Sequence, residues 1–258
     1  MIIAGPCQIE SEEQGIRIAN YCKKVCDSLG FEYYFKASFD KANRSHISGE
    51  RGLGFKKGLT AISNVCRITN VKSCIDFHDV SQIDKAEERG WLPDIIQIPA
   101  FLCRQTDLIR RAVLTGKIVN IKKGQFLAPW DVSGILSKTG NKNILITERG
   151  TSFGYNTLVV DYTGLVYMLK EYQNTHGVPI VFDATHSVQK PGGLGSSTGG
   201  NREYVPYLIN AAAAVGVQHF FMEVHEDPDN SPSDGPNILH LEDFEGVVKS
   251  IKRINMFI

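Results

Sequence analysis

The chain has 258 residues, of which 42% are apolar, and its 28 Lys and Arg balance 28 Asp and Glu, so the formal net charge is zero. This balance argues against a protein that coats nucleic acid or an anionic membrane, and no apolar run reaches the roughly 18 to 20 residues that span a bilayer. No secretory signal is visible at the N-terminus. All six cysteines precede residue 104 without a Cys-x-x-Cys pair, which indicates reduced thiols in a cytoplasmic protein.

A short apolar run of β type recurs along the chain, and a stretch compatible with a helix follows each run. The eight runs occupy residues 2–5, 33–36, 73–76, 95–98, 118–121, 144–147, 179–182 and 219–222. Helical stretches include residues 14–29, 105–115, 165–176 and 205–215. Strands that alternate with helices predict a parallel sheet.

The number of strand–helix units predicts how this sheet closes. Eight units in about 250 residues fit an α/β fold of the single-domain (β/α)8 TIM barrel type, which we expect to occupy residues 1–258. The alternative is an open doubly wound sheet, but no strand is followed by a G-x-G-x-x-G or P-loop motif. The barrel is therefore the preferred fold.

Polar side chains follow the predicted strands at their C-terminal ends, where a barrel of this kind carries its chemistry. Because side chains alternate along a strand, the members of three pairs point the same way: Asp76 with His78, Asn120 with Lys122, and Thr147 with Arg149. Basic residues from three strand ends converge on the same mouth: Lys36, Lys41, Arg44, Lys122 and Arg149. Focused positive charge suits a small polyanion such as a phosphate ester. The alternative is that these are ordinary solvated surface charges.

A second set of residues has the chemistry of metal ligands. Cys7 follows the first strand, His186 follows the seventh, Glu223 ends the eighth, and Asp234 lies in the next loop. Thiolate, imidazole and carboxylates together suit a divalent ion such as Zn²⁺, Fe²⁺ or Mn²⁺, and the strands concerned are neighbours in a closed barrel. The alternative for Cys7 is a small buried apolar residue, while His78 and His225 are competing imidazoles.

Two loops have a predicted mechanical role. Residues 187–200 are rich in glycine and form a candidate lid over bound substrate; the alternative is a surface loop without a role. Residues 226–237 are acidic and contain three prolines. We expect this second loop to bring Asp234 back over the mouth of the barrel.

Several longer strings resemble one known family. They are Ala4-Gly5-Pro6-Cys7 and the strings at 35–45, 97–107, 120–126, 148–150, 153–156 and 183–187, and they resemble the 3-deoxy-D-manno-octulosonate 8-phosphate synthases over nearly the whole chain. The resemblance implies a homotetrameric barrel transferase of the cytoplasm that condenses phosphoenolpyruvate with D-arabinose 5-phosphate and releases phosphate. This step leads to the Kdo sugar of lipopolysaccharide. Met1 falls inside the first strand, so we expect a short preceding segment to be missing or trimmed.

The resemblance also implies roles for individual residues. It places phosphoenolpyruvate against Lys36, Ser38, Lys41, Gln97, Lys122, Gln125 and Arg149, and arabinose 5-phosphate against Asn43, Arg44 and Ser45. His186, Asp76 and Asp234 are the available proton carriers, and Lys41 is grouped with them as catalytic. A cysteine at position 7 marks the metal-dependent branch of the family, so that Cys7, His186, Glu223 and Asp234 resemble its complete set of metal ligands.

Three rival functions remain open at this point. One is a phosphosugar-binding or regulatory barrel that has lost catalysis. The others are the related synthases that use erythrose 4-phosphate and those that make sialic acid. The motif at residues 41–45 reads Lys-Ala-Asn-Arg-Ser, which by resemblance selects the five-carbon sugar.

Overall fold

A computed structural model describes residues 1–44, 46–140, 143–192 and 199–257. Its main sheet is a closed barrel of parallel strands: Ile2–Gly5 (β1), Tyr33–Lys36 (β2), Lys72–Asp76 (β3), Ile95–Ile98 (β4), Ile118–Lys122 (β5), Ile144–Glu148 (β6), Ile180–Asp183 (β7) and His219–His225 (β8). Each strand pairs with the next, and β1 also pairs with β8, in the register Ile3 to Phe221. The predicted (β/α)8 barrel is confirmed, and the doubly wound alternative is excluded.

Helices surround this barrel and alternate with its strands. They are Glu12–Leu29 (α1), Phe55–Thr69 (α2), Val80–Glu88 (α3), Thr106–Leu114 (α4), Val132–Leu136 (α5), Tyr162–Met168 (α6), Val205–Ala214 (α7) and Phe244–Asn255 (α8). Local sequence sets several of their ends. Helix α1 begins where the Ser11 hydroxyl accepts a hydrogen bond from the Gln14 amide, and it ends at Gly30, whose φ of 76° is left-handed. The predicted stretch at 165–176 begins within α6 and continues as a π-helical segment, Leu169–Thr175.

Short strands that the sequence pattern did not predict lie at the C-terminal end of the barrel. Thr151–Ser152 pairs with Leu158–Val159, and Gln189–Lys190 pairs with Gly199–Gly200, both antiparallel. Leu239–His240 pairs in parallel with the far end of β8, which extends past its predicted end at residue 222. These segments have only two residues each, too short for an alternating pattern to be recognised.

The barrel interior changes from apolar to polar along the strands. An inner apolar cluster consists of Ile3, Tyr34, Cys74, Ile95, Leu145, Val181 and Phe221. Two residues further along, the same side of six of these strands carries Lys36, Asp76, Gln97, Thr147, Asp183 and Glu223, all buried. The intervening Ile75 and Ile146 point the other way and pack in the larger core between the sheet and the helices. The polar residues thus form a layer that packs on the apolar layer, and this packing sets their position along the barrel axis.

No helix in the described part of the chain is both long and apolar enough to cross a membrane. All six cysteines are free, in agreement with the reduced thiols predicted from their spacing. Burial raises the pKa of Cys22 well above its ordinary value, and the neighbouring Cys26 adds to this rise. These core thiols therefore act as small apolar side chains.

His219 at the start of β8 makes the stability of the barrel depend on pH. Its Nδ1 lies 3.1 Å from the amine of Met1. Burial first and the positive amine second lower the pKa of His219 from 6.5 to about 4, against the opposing effect of Glu32. The unfolded chain therefore binds more protons than the folded chain between these two pH values. The contribution of neutral His219 to the free energy of unfolding is fully present above pH 6.5 and is lost as the pH drops toward 4. It amounts to about 3 kcal/mol at most.

We expect His219→Gln to remove this component, so that the free energy of unfolding falls less between pH 7 and pH 4.5 than in the unaltered chain. Urea unfolding at the two pH values measures the difference. His176→Gln is the control, because His176 lies at the surface, where its ion pair with Glu171 is about half exposed. An equal fall in the His219→Gln variant and the unaltered chain would contradict this role of His219.

Candidate active site

A cavity of about 320 Å³ opens at the C-terminal end of the barrel. This volume is at the lower end of the range typical of small-molecule sites. Among the predicted site residues, it is lined by Lys36, Lys41, Asn43, Arg44, Asp76, Gln97, Lys122, Gln125, Arg149, His186 and Asp234. Cys7, Ser38 and Glu223 lie directly behind the lining, in contact with it. Ser45 lies outside the described residues. The structure therefore brings both predicted sets, the cations and the metal ligands, to one place.

A hydrogen-bonded chain crosses the floor of this cavity from β2 to β6. Ser38 Oγ and Gln97 Nε2 both donate to the carboxylate of Asp76. Asn120 Nδ2 donates to Gln97 Oε1 over 2.8 Å, and Thr147 Oγ1 donates to Asn120 Oδ1 over 2.6 Å. Each amide has one possible orientation in such a chain, because its oxygen accepts and its nitrogen donates. The floor of the cavity is consequently pre-organised.

Lys36 and Asp76 are held in their charged forms. Lys36 Nζ lies 3.5 Å from Asp76 Oδ2 and 3.2 Å from Glu223 Oε1. Burial alone lowers the pKa of Lys36, but these carboxylates outweigh it and raise the pKa well above its ordinary value. Burial alone raises the pKa of Asp76, but Lys36, Lys41 and the Ser38 hydrogen bond hold it far below its usual range. This favours a role for Asp76 as a permanently charged hydrogen-bond acceptor. It disfavours the predicted role of Asp76 as a proton carrier.

Asp183 joins Lys122 to His186 and is a site residue that the sequence reasoning missed. Its Oδ2 forms an ion pair with Lys122 Nζ and lies 2.7 Å from His186 Nδ1. Lys122 Nζ also lies 3.1 Å from the centroid of the Phe221 ring. Burial lowers the pKa of Lys122, and Asp183 partly restores it. The sequence feature that could have identified Asp183 is its position at the end of the seventh strand, on the same side as Val181.

Arg149 is a buried cation with amide partners. Its Nη1 donates to Gln125 Oε1 over 3.1 Å, and its Nη2 donates to Gln189 Oε1 over 2.5 Å. Arg149 is only 7% exposed. Within the described ranges, no carboxylate oxygen lies within ion-pair distance of its guanidinium. Burial lowers the pKa of Arg149. A buried charge without a counter-charge at ion-pair distance is costly, and an anionic ligand would offset this cost.

Gln189 links this cation to the predicted metal ligands. Its Nε2 donates to Asp234 Oδ1 over 3.1 Å, while its oxygen accepts from Arg149. The sequence placed Gln189 only within the candidate lid, because no periodicity marks the turn that follows β7. Residues 193–198 of that loop lie outside the described residues, so the lid itself stays a prediction.

Three of the four predicted metal ligands form one cluster. Ligand atoms of Cys7, Glu223 and Asp234 all lie within 4.8 Å of one another. Cys7 Sγ donates to Asp234 Oδ2 over 3.3 Å; burial, followed by the charge of Glu223, raises the pKa of Cys7 well above its ordinary value. Glu223 Oε2 is buried and has no hydrogen-bond partner among the described residues. This unsatisfied oxygen and the mixed donor set fit a divalent cation.

His186 lies at the edge of this cluster rather than within it. Its Nε2 is 3.9 Å from Glu223 Oε2, while Asp183 lies behind the other ring nitrogen. A carboxylate behind the imidazole is the usual arrangement of a metal-binding histidine. Of the competing imidazoles, His225 Nε2 lies 2.8 Å from Glu10 Oε1, and His78 lines the cavity; neither belongs to the cluster.

The loop at 226–237 returns over the mouth, as predicted. Asp234 in this loop has a φ of 55°, a left-handed conformation uncommon outside glycine. Arg44 donates to Ser233 Oγ and to the carbonyl of Pro232, both over 2.6 Å. The loop after β2 and the loop after β8 are therefore joined directly above the cavity.

The fold and the cavity define a barrel enzyme with buried cations beside a cluster of metal-ligand type. The DAHP synthetase I family model matches residues 1–256, and the chain belongs to this family. It is 50% identical over 253 residues to the 2-dehydro-3-deoxyphosphooctonate aldolase of Nitrobacter winogradskyi, covering 97% of this chain and 86% of that protein. It is 51% identical to the protein of the same name from Rickettsia bellii, over 98% of this chain and 90% of that protein. The family resemblance drawn from the sequence motifs is confirmed.

Proposed function

We propose that the chain condenses phosphoenolpyruvate with D-arabinose 5-phosphate and water to give 3-deoxy-D-manno-octulosonate 8-phosphate and inorganic phosphate, a step of Kdo and lipopolysaccharide biosynthesis. The product is the compound in the name of its relatives, written in another nomenclature. Within the site, the observation that carries the proposal is the buried guanidinium of Arg149. It lines the cavity together with Lys122, and its hydrogen-bond partners among the described residues are the side-chain amides of Gln125 and Gln189. Such a site suits the phosphate and carboxylate of an enol phosphate.

Phosphoenolpyruvate is assigned to the deep part of the cavity. The proposed contacts are Lys36, Ser38, Lys41, Gln97, Lys122, Gln125 and Arg149, which come from the ends of β2, β4, β5 and β6. Lys41 is suited to this role because it is only 8% exposed and its nearest carboxylate, Glu223, lies 3.9 Å away. Holding the enol phosphate by both anionic groups fixes the plane of its double bond for attack.

Arabinose 5-phosphate is assigned to the outer part of the cavity, at Asn43 and Arg44, and the family resemblance adds Ser45 to its contacts. The hydrogen bonds of Arg44 to Ser233 and Pro232 are to neutral acceptors. A phosphate group offers stronger, charge-assisted bonds to the same guanidinium. The sugar phosphate thereby extends its aldehyde toward the enol bound below it.

The reaction joins carbon 3 of phosphoenolpyruvate to the aldehyde carbon, adds water at carbon 2, and expels phosphate by cleavage of the C–O bond. The cations stabilise the charge on the phosphate and carboxylate throughout. His186, whose Nδ1 lies 2.7 Å from Asp183 Oδ2, and Asp234 are placed to hold or move a proton at this end of the cavity. A divalent metal held by Cys7, His186, Glu223 and Asp234 would polarise the aldehyde or position the water. Zn²⁺, Fe²⁺ and Mn²⁺ all suit these donors.

The assembly and compartment are part of the same proposal: one catalytic domain over residues 1–258, assembled as a cytoplasmic homotetramer. Large aromatic side chains support an assembly, because Phe101, Phe153 and Tyr155 are 54%, 70% and 97% exposed on loops after β4 and β6. Large aromatic side chains are enriched at protein interfaces.

Phosphate release from defined substrates tests the function. We expect phosphoenolpyruvate with arabinose 5-phosphate to give product and phosphate in equal amounts, with kcat/KM about 100-fold above that for erythrose 4-phosphate. Phosphoenolpyruvate alone is the control. A preference for erythrose 4-phosphate would indicate the related synthase. Binding of both substrates without phosphate release would indicate a barrel that has lost catalysis.

A further inference from the structure

Strands β5 and β6 each lead into the mouth with two adjacent charged residues. One member of each pair, Lys122 and Arg149, lines the cavity. The other members, Lys123 and Glu148, are only 1% and 3% exposed and do not belong to the cavity lining. Lys123 Nζ lies 3.2 Å from Glu148 Oε2. An ion pair is therefore buried directly behind the two cations assigned to phosphoenolpyruvate.

Lys123 holds the turn that follows β5. Its Nζ donates to the carbonyl of Leu127 over 3.1 Å and to that of Gly124 over 3.4 Å. These two carbonyls lie on either side of Gln125, whose oxygen accepts from Arg149. The backbone amide of Lys123 also donates to the carbonyl of Thr147 over 2.7 Å, which joins the two strand ends.

Glu148 holds the turn that follows β6. Its Oε1 accepts a hydrogen bond of 2.6 Å from the amide of Gly150. Gly150 has a φ of 89°, so the chain turns sharply there in a conformation that glycine adopts at little cost. Arg149 lies between the two ends of this hydrogen bond, and its backbone direction is fixed by it.

We propose that Lys123 and Glu148 are positioning residues that set the spacing of Lys122, Gln125 and Arg149, an inference that rests on the proposed function. An apolar pair would fill the same space without the cost of removing two charges from water. Apolar side chains, however, would leave the carbonyls of Gly124 and Leu127 and the amide of Gly150 without these partners. The ion pair thus satisfies the backbone of both turns and joins them to each other.

The double variant Lys123→Met/Glu148→Gln tests this role. It removes both charges together, so no buried charge is left unpaired, and the glutamine oxygen still accepts from Gly150. We expect a folded protein whose kcat/KM for phosphoenolpyruvate falls by about 100-fold. The rise in KM for phosphoenolpyruvate should exceed that for arabinose 5-phosphate, a split that a loss of stability alone does not produce. Thermal unfolding gives the folded fraction for each assay.

Arg111→Met is the matched control, because Arg111 pairs with Asp84 over 2.6 Å between α4 and α3, away from the cavity lining. This variant should lose stability and keep the KM for phosphoenolpyruvate. Unchanged kinetics in a folded double variant would overturn the proposal, whereas an unaltered chain that forms no product would overturn the proposed function instead.

Deuterium exchange of the unaltered chain gives a second measurement, which does not need a folded variant. The amides of Gly150 and Leu127 should exchange as slowly as those of β5 and β6, because the ion pair orders both turns. Exchange as fast as in exposed loops would also overturn the proposal.

Discussion

Lys122→Met is expected to lower kcat/KM for phosphoenolpyruvate by about 1,000-fold or more, since a buried charge that faces developing negative charge is among the largest contributions to catalysis. Methionine has a similar volume, so the cavity keeps its shape. Lys122 contacts Asp183 and the Phe221 ring below it. The substituted chain loses the ammonium group above both, while Asp183 keeps its contact with His186.

Phosphate release measured over a range of phosphoenolpyruvate concentrations checks this expectation. Lys170→Met is the control, because Lys170 is exposed on the π-helical segment. Its kinetics should match those of the unaltered chain. A Lys122→Met variant that keeps its kcat/KM would show that the enol phosphate binds elsewhere in the cavity.

The strands were predictable from the sequence because each is a short apolar run with polar residues at its far end. Alternation then correctly placed Asp76 and Lys122 on the inner side. The same rule applied to Val181 points to Asp183, which the sequence reasoning left out. Closure of the barrel through β1 and β8 explains why Cys7 and Asp234, at opposite ends of the chain, are in contact.

Other parts of the site were beyond prediction for physical reasons. Gln189 follows a one-turn helix, Ala184–Ser187, where neither strand nor helix periodicity applies. Alternation separates Lys122 from the adjacent Lys123, but no pattern in the sequence pairs Lys123 with Glu148. Only the closed barrel shows that Lys123 is buried against this carboxylate.

The structure supplies counter-charges for two of the cations gathered at the mouth. Asp76 is an ion-pair partner of Lys36, and Asp183, which the sequence reasoning left out, is an ion-pair partner of Lys122. These carboxylates keep the lysines ordered before substrate arrives, which lowers the entropy lost on binding. An incoming anion must in turn compete with these carboxylates for the lysines. This competition is weakest at Arg149, where no carboxylate of the described residues lies within ion-pair distance.

Removal of divalent metal is expected to abolish activity, and re-addition of Zn²⁺, Fe²⁺ or Mn²⁺ to restore it. The purified chain should carry about one equivalent of metal, as expected for a single four-ligand site. Cys7→Ala should weaken metal binding by about 100-fold or more, because a thiolate ligand is lost outright and even second-shell changes cost about 10- to 100-fold. Metal content after dialysis measures this independently of turnover.

Cys22→Ala is the matched control, since Cys22 is equally buried but lies in α1, outside the cavity lining. It should keep its metal and its activity. Full activity in a demonstrably metal-free sample would contradict a metal role for the cluster. In that case the hydrogen bond from Cys7 to Asp234 would be the whole function of the thiol. The unsatisfied Glu223 Oε2 argues for the metal, because a buried carboxylate oxygen without a partner carries a desolvation cost that a bound cation offsets.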